Sequence, residues 1–198
     1  MKYFVKLDLP DQPLVKNFER PTNIAVIGAP TYISISLDFV KKEIINIFKE
    51  INLEVSGAIL FRKRPSATSP IHKDLVLEDN KWKMCSYGVN WNLDGTHSIM
   101  EWYDTNEKEI WPGIPFYKSA FILCGINYGL MGSTNTNSDK FKLLSSLNLT
   151  TPTLVRTDIP HRVKNLDVID RWCVSLRFKQ NLSWLEAVPL FSKLYNTT

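Results

Sequence analysis

Cysteine is scarce in this chain, with three residues among 198, at positions 85, 124 and 173. Their number is odd and no Cys-x-x-Cys pair occurs, so neither a zinc ribbon nor a disulfide framework is indicated. Long apolar runs are also lacking, and no stretch approaches the roughly 20 residues that a membrane-spanning helix needs. These absences leave an ordinary globular protein as the expectation.

Targeting and glycosylation signals are equally weak. Residues 1–8 carry several charges and too short an apolar run for a signal peptide. We therefore expect a soluble cytoplasmic protein. The sequons at Asn148, Asn181 and Asn196 would then carry no glycan, because glycosylation requires the secretory route.

Strong charge of one sign is lacking too, because the net charge is only +4. No basic run resembles a nucleic-acid-binding arm. The densest basic cluster is Arg62-Lys63-Arg64, which predicts a solvated strand end or, alternatively, a patch that attracts an anionic substrate. Hydrophobic residues at 44% and charged residues at 22% suit one domain spanning residues 1–198 with a real core.

A helix is predicted over residues 36–51, with Ser36 as its N-cap and Asp38 in its first turn. Apolar residues recur there with helical period, which is typical of a helix packed on a sheet. The apolar stripe consists of Phe39, Val40, Ile44, Ile47, Phe48 and Ile51. A second, short helix is predicted over residues 183–195, interrupted by Pro189.

The rest of the chain reads as short strands separated by turns, which favours a β-sandwich or barrel over a parallel sheet. The predicted strands are residues 55–62, 70–77, 83–93, 98–103, 121–124, 153–157, 160–163 and 171–178. No internal repeat is visible. Residues 125–150 are rich in turn formers, and they predict either a surface loop or a mobile lid over a pocket.

Two histidines and a carboxylate form a candidate metal site. Alternate side chains of a strand share a face, so His72 and Asp74 would point the same way. With His161 from a neighbouring strand they would match the ligand set of a mononuclear non-haem iron(II) site. A chance origin is the alternative, with His72 in a loop, Asp74 as a cap and His161 as a satisfied histidine after Pro160.

The strand predicted over residues 171–178 alternates an apolar face with a polar one. Arg171, Ser175 and Arg177 lie on the polar face, where a guanidinium could bind a carboxylate in bidentate fashion. Arg171 and Ser175 would be about 13 Å apart along the strand, too far to hold one carboxylate unless the strand bends. Arg177, on the same face, could bind the carboxylate instead of Arg171.

The order of these residues resembles the motif pattern of a known family. It resembles the 2-oxoglutarate- and iron(II)-dependent oxygenases, in particular small members related to the aspartyl/asparaginyl β-hydroxylase and prolyl hydroxylase groups. The resemblance covers roughly residues 53–180. Its motifs are Phe61-Arg62 with the turn at Pro65, Ile71-His72-Lys73-Asp74, and residues 87–93, 100–103, 154–165 and 171–178. It implies a mainly β fold with flanking helices, the cupin-like jelly roll called a double-stranded β-helix.

The resemblance also implies a chemistry. His72, Asp74 and His161 would ligate Fe(II), and Arg171 would pair with the distal carboxylate of 2-oxoglutarate. Reaction with O2 would release succinate and CO2 while an unidentified small molecule or protein side chain is hydroxylated. The presence of Asp74 points to a hydroxylase-type site, because related halogenases leave that position vacant and the β-hydroxylase branch often lacks the carboxylate.

Other functions remain open at the level of the sequence. The chain could be a cupin-like metal enzyme that uses no keto acid, or a non-catalytic jelly-roll binding protein. Asn90 and Asn92 are candidate polar pocket residues, although they also suit a strand end. Five aromatic residues could line a pocket but are expected mostly in the core: Trp82, Trp91, Trp102, Tyr103 and Trp111.

Overall fold

The secondary structure was obtained from a computed structural model, which describes residues 2–21, 31–69, 71–78, 81–94, 97–105, 121–123 and 141–195. Strands predominate in these ranges. They are β1 (Phe4–Lys6), β2 (Thr31–Ile35), β3 (Val55–Lys63), β4 (His72–Glu78), β5 (Lys81–Met84), β6 (Tyr87–Asn92), β7 (Ser98–Thr105), β8 (Phe121–Leu123), β9 (Phe141–Asn148), β10 (Thr153–Arg156), β11 (His161–Asn165) and β12 (Arg171–Phe178). The helices are α1 (Lys42–Glu50) and α2 (Trp184–Leu190), with 3₁₀ turns at Leu37–Phe39 and Phe191–Leu194.

The strands form two antiparallel sheets. The first sheet has the order β1-β10-β6-β12-β3-β2, and the second has the order β5-β4-β11-β7-β9, with β8 also paired to β4. Successive strands from β3 to β12 pass repeatedly from one sheet to the other. The central orders, β3-β12-β6-β10 and β4-β11-β7-β9, are those of two interlocked Greek keys, which make a jelly roll. The predicted jelly-roll fold is therefore confirmed.

Both helices cover the outer face of the first sheet. Phe48 of α1 packs against Trp91 and Phe178, with ring centroids 6.4 and 5.0 Å away, and Phe191 after α2 joins them. Val174 and Leu176 of β12 belong to the same buried cluster. Because side chains alternate along a strand, the other face of β12 is left to point towards the second sheet.

The predicted helix over residues 36–51 is wrong in its first half. Ser36 caps the 3₁₀ turn, where its hydroxyl accepts from the Asp38 amide at 3.2 Å, and α1 begins only at Lys42. Between them Val40 is extended and pairs with Leu14 in an isolated bridge. The backbone is drawn out of the helix there because it bonds to this earlier segment.

Two strand predictions also need correction. Residues 83–93 form two strands, because the chain crosses between sheets at Cys85 and Ser86, whose backbones bond to Asp74 and Thr157. Residues 141–148, assigned to a loop or lid over 125–150, form β9 beside β7. The remainder of that predicted region, through residue 140, lies outside the described residues, as do Cys124 and Trp111. Strands β1 and β2 were not predicted.

The C-terminal helix is close to its prediction. Ser183 is the N-cap of α2 and forms a capping box with Glu186, and the helix ends one residue after Pro189. Neither described helix is long and apolar enough to cross a membrane.

Candidate metal centre

Two neighbouring strands bring the predicted ligands together. His161 of β11 is the direct register partner of His72 in β4, and Asp74 lies two residues along β4 on the same face. The Nε2 atoms of His72 and His161 are each 3.5 Å from Asp74 Oδ1. One ligand atom from each residue lies within 4.8 Å of the others, so the three side chains can hold a metal ion.

His161 is oriented by the backbone. Its Nδ1 lies 2.9 Å from the carbonyl oxygen of Ile159, which can only accept a hydrogen bond, so the proton is on Nδ1. Nε2 faces Asp74 and is the ring atom that could ligate a metal. Metal-binding histidines commonly donate their second ring N–H in this way, which fixes the tautomer and the ring orientation.

Asp74 divides its oxygens between two neighbours. Oδ1 faces the histidines, while Oδ2 accepts a hydrogen bond of 2.6 Å from Arg177 Nη2. Burial would raise the pKa of this carboxyl, but the charge of Arg177 and the nearby histidines hold it well below its usual range. Asp74 is therefore an anion at neutral pH, as a metal ligand must be.

Arg177 fits closely beside this carboxylate. Its other amino group approaches Cys85 Sγ at 3.7 Å and the Tyr87 carbonyl oxygen at 3.5 Å. A Cβ on Gly88 would lie only 2.5 Å from Arg177 Nη1, so the lack of a side chain at Gly88 makes room for the guanidinium. Burial lowers the pKa of Arg177, but Asp74 more than offsets this and raises it, so the pair is ionised on both sides.

A second charged group lies at the other end of β12. Arg171 is 3% exposed and faces Lys63 of β3, its register partner, which is 7% exposed. Burial and then the charge of Arg171 lower the pKa of Lys63 to about 7. Arg171 Nε is buried and has no hydrogen-bond partner among the described residues.

Between Arg171 and Arg177 lie further buried polar atoms that have no hydrogen-bond partner among the described residues. Ser175 is fully buried, and neither its Oγ nor Oδ1 of Asn90, its register partner in β6, has a hydrogen-bond partner in the described structure. Such atoms usually complete their hydrogen bonds with a ligand or with ordered water. The inner face of the first sheet is therefore suited to a polar small molecule beside the three candidate ligands.

Other predicted residues take different places. The Arg62-Lys63-Arg64 cluster is not wholly a solvated strand end, because Lys63 is buried while Arg62 lies over the Trp172 ring and pairs with Asp170. The placement of Trp91 and Trp102 in the core is confirmed, since both are at most 1% exposed. Their indole N–H groups donate to backbone carbonyls.

Sequence reasoning missed Gly88, and it named Lys63 only as part of the Arg62-Lys63-Arg64 cluster. Lys63 stands between two arginines whose pattern suggested solvent exposure, and only the pairing of β3 with β12 turns it inward. Gly88 matters through Arg177, which is distant in sequence, so no local signal could have found it. Alternation along β12 was the signal that placed Arg171, Ser175 and Arg177 on one face.

Comparison with known proteins gives distant likeness only. No family model and no curated protein matches the chain. HygX from Streptomyces hygroscopicus, solved with nickel and 2-oxoglutarate bound, is 8% identical with a TM-score of 0.42, and the match covers 77% of this chain and 70% of HygX.

Two further solved structures match at a similar level. SnoK, a non-haem α-ketoglutarate-dependent carbocyclase from nogalamycin biosynthesis, is 9% identical with a TM-score of 0.42, over 76% of this chain and 63% of SnoK. The E. coli protein ycfD is 10% identical with a TM-score of 0.43, over 81% of this chain and 37% of ycfD. Likeness this distant leaves the activity to be argued from the residues of the site.

Proposed function

We propose that this protein is an Fe(II)- and 2-oxoglutarate-dependent dioxygenase of the hydroxylase type. The observation that carries the proposal is the convergence of His72, Asp74 and His161, with Nε2 of His161 and Oδ1 of the ionised Asp74 3.5 Å apart. Two histidines and one carboxylate leave open coordination positions, which is the arrangement of non-haem iron(II) oxygenases.

The residues present fit both groups. His72, Asp74 and His161 would hold the metal, and the buried guanidinium of Arg171 would bind the distal carboxylate of 2-oxoglutarate. Ser175 and Asn90 would offer their unsatisfied atoms to the polar contents of the pocket. When bound, Fe(II), 2-oxoglutarate and O2 together supply an oxidant that can hydroxylate a C–H bond, with succinate and CO2 as products.

The protein itself orients the side chains that would ligate the metal. Arg177 orients Asp74 through Oδ2, so that Oδ1 faces the metal position. Ile159 orients His161 through its carbonyl oxygen. We assign Arg177 to this task rather than to the co-substrate, because its guanidinium is already committed to Asp74. An intact carboxylate at position 74 favours hydroxylation over halogenation, and the sequence motifs resemble those of the aspartyl/asparaginyl β-hydroxylase and prolyl hydroxylase groups.

Succinate formation tests the proposal. Purified protein supplied with Fe(II), ascorbate and 2-oxoglutarate under air should form succinate slowly even without a primary substrate, measured by mass spectrometry. His161→Ala should abolish this turnover, because only two ligands remain. His97→Ala is the matched control, since His97 is an exposed histidine that pairs with Asp167 outside the site.

Two results would count against the proposal. Succinate formed equally by the His161→Ala protein would mean that the turnover does not use this site. Tight metal binding without any 2-oxoglutarate consumption would favour a cupin-like metal enzyme that uses no keto acid. A positive result would permit a screen of metabolites and peptides for compounds that accelerate succinate release.

A further inference from the structure

Two buried cations face each other across β3 and β12. Lys63 is the last residue of β3 and Arg171 is the first of β12, and the two are register partners. Both lie on the face that turns away from the helices. Directly paired residues of antiparallel strands have Cβ atoms about 5 Å apart, so their side chains share one small space.

No described carboxylate neutralises this pair. The nearest acidic residues along the chain are committed elsewhere, since Asp167 pairs with His97 and Asp170 pairs with Arg62. Within the second sheet, Glu101 pairs with Arg162 and Lys164. A buried charge without a partner is costly, and two like charges side by side cost more. An arrangement of this kind is stable when an anion occupies the space between the charges.

The backbone around the pair is fixed in place. The buried side-chain amide of Asn165 donates to the carbonyl oxygens of Lys63, Arg64 and Ile169, at 3.3, 2.9 and 2.8 Å. These bonds tie the end of β3 to the loop that precedes β12. Lys63 and Arg171 are thus held opposite each other before any ligand binds, which reduces the entropy that binding must overcome.

We propose that Lys63 and Arg171 form a two-cation pocket that receives one terminal carboxylate of a small dicarboxylate. The guanidinium of Arg171 supplies a planar fork, and the ammonium of Lys63 supplies a compact point charge beside it. The identification of that dicarboxylate as 2-oxoglutarate rests on the proposed function. Lys63 is then a second co-substrate-binding residue, contributed by the strand opposite Arg171.

The pocket couples binding to protonation. Without an anion the pKa of Lys63 is lowered to about 7, so at pH 8 most molecules carry a neutral amine there. A bound carboxylate raises that pKa again, and binding at pH 8 takes up a proton. The charged group that acts on Lys63 is Arg171 from β12. Arg62 and Arg64 are its neighbours in sequence, and in the loop before β12 Asp170 is paired with Arg62 and Asp167 with His97.

The affinity of the pocket for the dicarboxylate should depend on pH. Above about pH 7 the proton needed by Lys63 becomes scarce, so the affinity for the dicarboxylate should fall as pH rises. At pH 6 Lys63 is already protonated, and binding should take up almost no proton. A Lys63→Arg protein should lack this dependence, because arginine stays charged throughout this range.

Calorimetric titration of the Ni(II)-loaded protein with 2-oxoglutarate tests the pocket without turnover. Lys63→Met should weaken binding by about tenfold or more, while Lys63→Arg should stay within a few-fold of the unmodified protein. Lys49→Met is the matched control, because it removes the same charge from an exposed position of α1 and should change nothing. Repeating the titration at pH 8 in buffers of different ionisation enthalpy measures the proton uptake.

Titration with pyruvate distinguishes binding of the distal carboxylate from binding of the keto-acid end of 2-oxoglutarate. Pyruvate lacks the second carboxylate, so its weak binding should be the same in the unmodified and Lys63→Met proteins. Unchanged 2-oxoglutarate affinity in Lys63→Met, with normal Ni(II) binding, would overturn the two-cation pocket and leave the proposed function intact. Failure of the unmodified Ni(II) protein to bind 2-oxoglutarate would overturn both.

Discussion

In the proposed function, Asp74 ligates a metal ion through one oxygen while its other oxygen accepts from a buried guanidinium. Oδ2 is held by Arg177 at 2.6 Å, and Oδ1 is turned towards His72 and His161. The hydrogen bond to Oδ2 matters because a carboxylate that is already oriented loses little conformational entropy when it binds a metal. Residues that orient ligands in this way typically change metal affinity by about 10- to 100-fold when they are replaced.

Arg177→Met should therefore harm both stability and metal binding. Removing one partner of a buried ion pair leaves an uncompensated charge, so the metal-free protein should lose about 3–5 kcal/mol at neutral pH. Adding Ni(II) should recover part of the loss, because the metal cation then neutralises Asp74. Thermal denaturation with and without Ni(II) measures both effects.

The same variant has a defined pH response. In the unmodified protein the pKa of Asp74 is lowered, so its stabilising contribution is present above about pH 4 and is lost as pH falls further. In Arg177→Met burial raises that pKa, and protonation of Asp74 should shrink the deficit as pH is lowered. Lys179→Met, which breaks an exposed pair with Glu54, should cost at most about 1 kcal/mol. An equal loss in both variants would contradict the importance of the Asp74–Arg177 pair.

Single residues were predictable from sequence only where strand periodicity decided their place. His72 and Asp74 follow from alternation along one strand, and Arg171, Ser175 and Arg177 follow in the same way. The partner of Arg177 did not follow, because the two residues are 103 positions apart and meet only when the sheets close. The pairing of Lys63 with Arg171 did not follow for the same reason.

At the level of elements, the apolar faces that rest on the first sheet were the most predictable. The period of α1 and the alternation of β12 place Phe48 and Val174 on opposite sides of one buried cluster. The start of α1 was not predictable, since the chain leaves the helix at Val40 to pair with Leu14. β9 was missed because most of its side chains are exposed and show no buried alternate face.

The capping box of α2 gives a prediction for one element. Ser183 Oγ accepts from the Glu186 amide, and the Glu186 side chain accepts from the Ser183 amide. Ser183→Ala should cost about 1 kcal/mol, because the Glu186 amide loses the side-chain oxygen that caps it. Metal binding should be unaffected, because α2 lies on the outer face of the first sheet.

Chemical denaturation of Ser183→Ala, compared with a control variant, measures the loss of stability that the capping box predicts. Ser192→Ala is the matched control, since Ser192 is exposed in the following 3₁₀ turn and is not the cap of a helix. If Ser183→Ala and Ser192→Ala had equal stabilities, the capping box would make no net contribution to α2.

The whole molecule depends on strands from distant parts of the chain. β12 lies between β3 and β6, and β11 lies between β4 and β7, so early and late strands alternate within each sheet. The candidate metal site lies where β4 and β11 meet, and the proposed two-cation pocket lies where β3 and β12 meet. Both are products of the jelly-roll topology. The sequence predicted the fold class through its many short strands and its motif order, but the order of strands within a sheet is a non-local property.

The central claim is that one site binds a metal and 2-oxoglutarate together. Its most direct test is an anaerobic titration of the Fe(II)-loaded protein with 2-oxoglutarate, followed by visible absorption. We expect a metal-to-ligand charge-transfer band that saturates near one equivalent of 2-oxoglutarate. The band should be absent in His161→Ala and present in His97→Ala. A protein that binds Fe(II) but develops no such band, even at high 2-oxoglutarate concentration, would contradict the account.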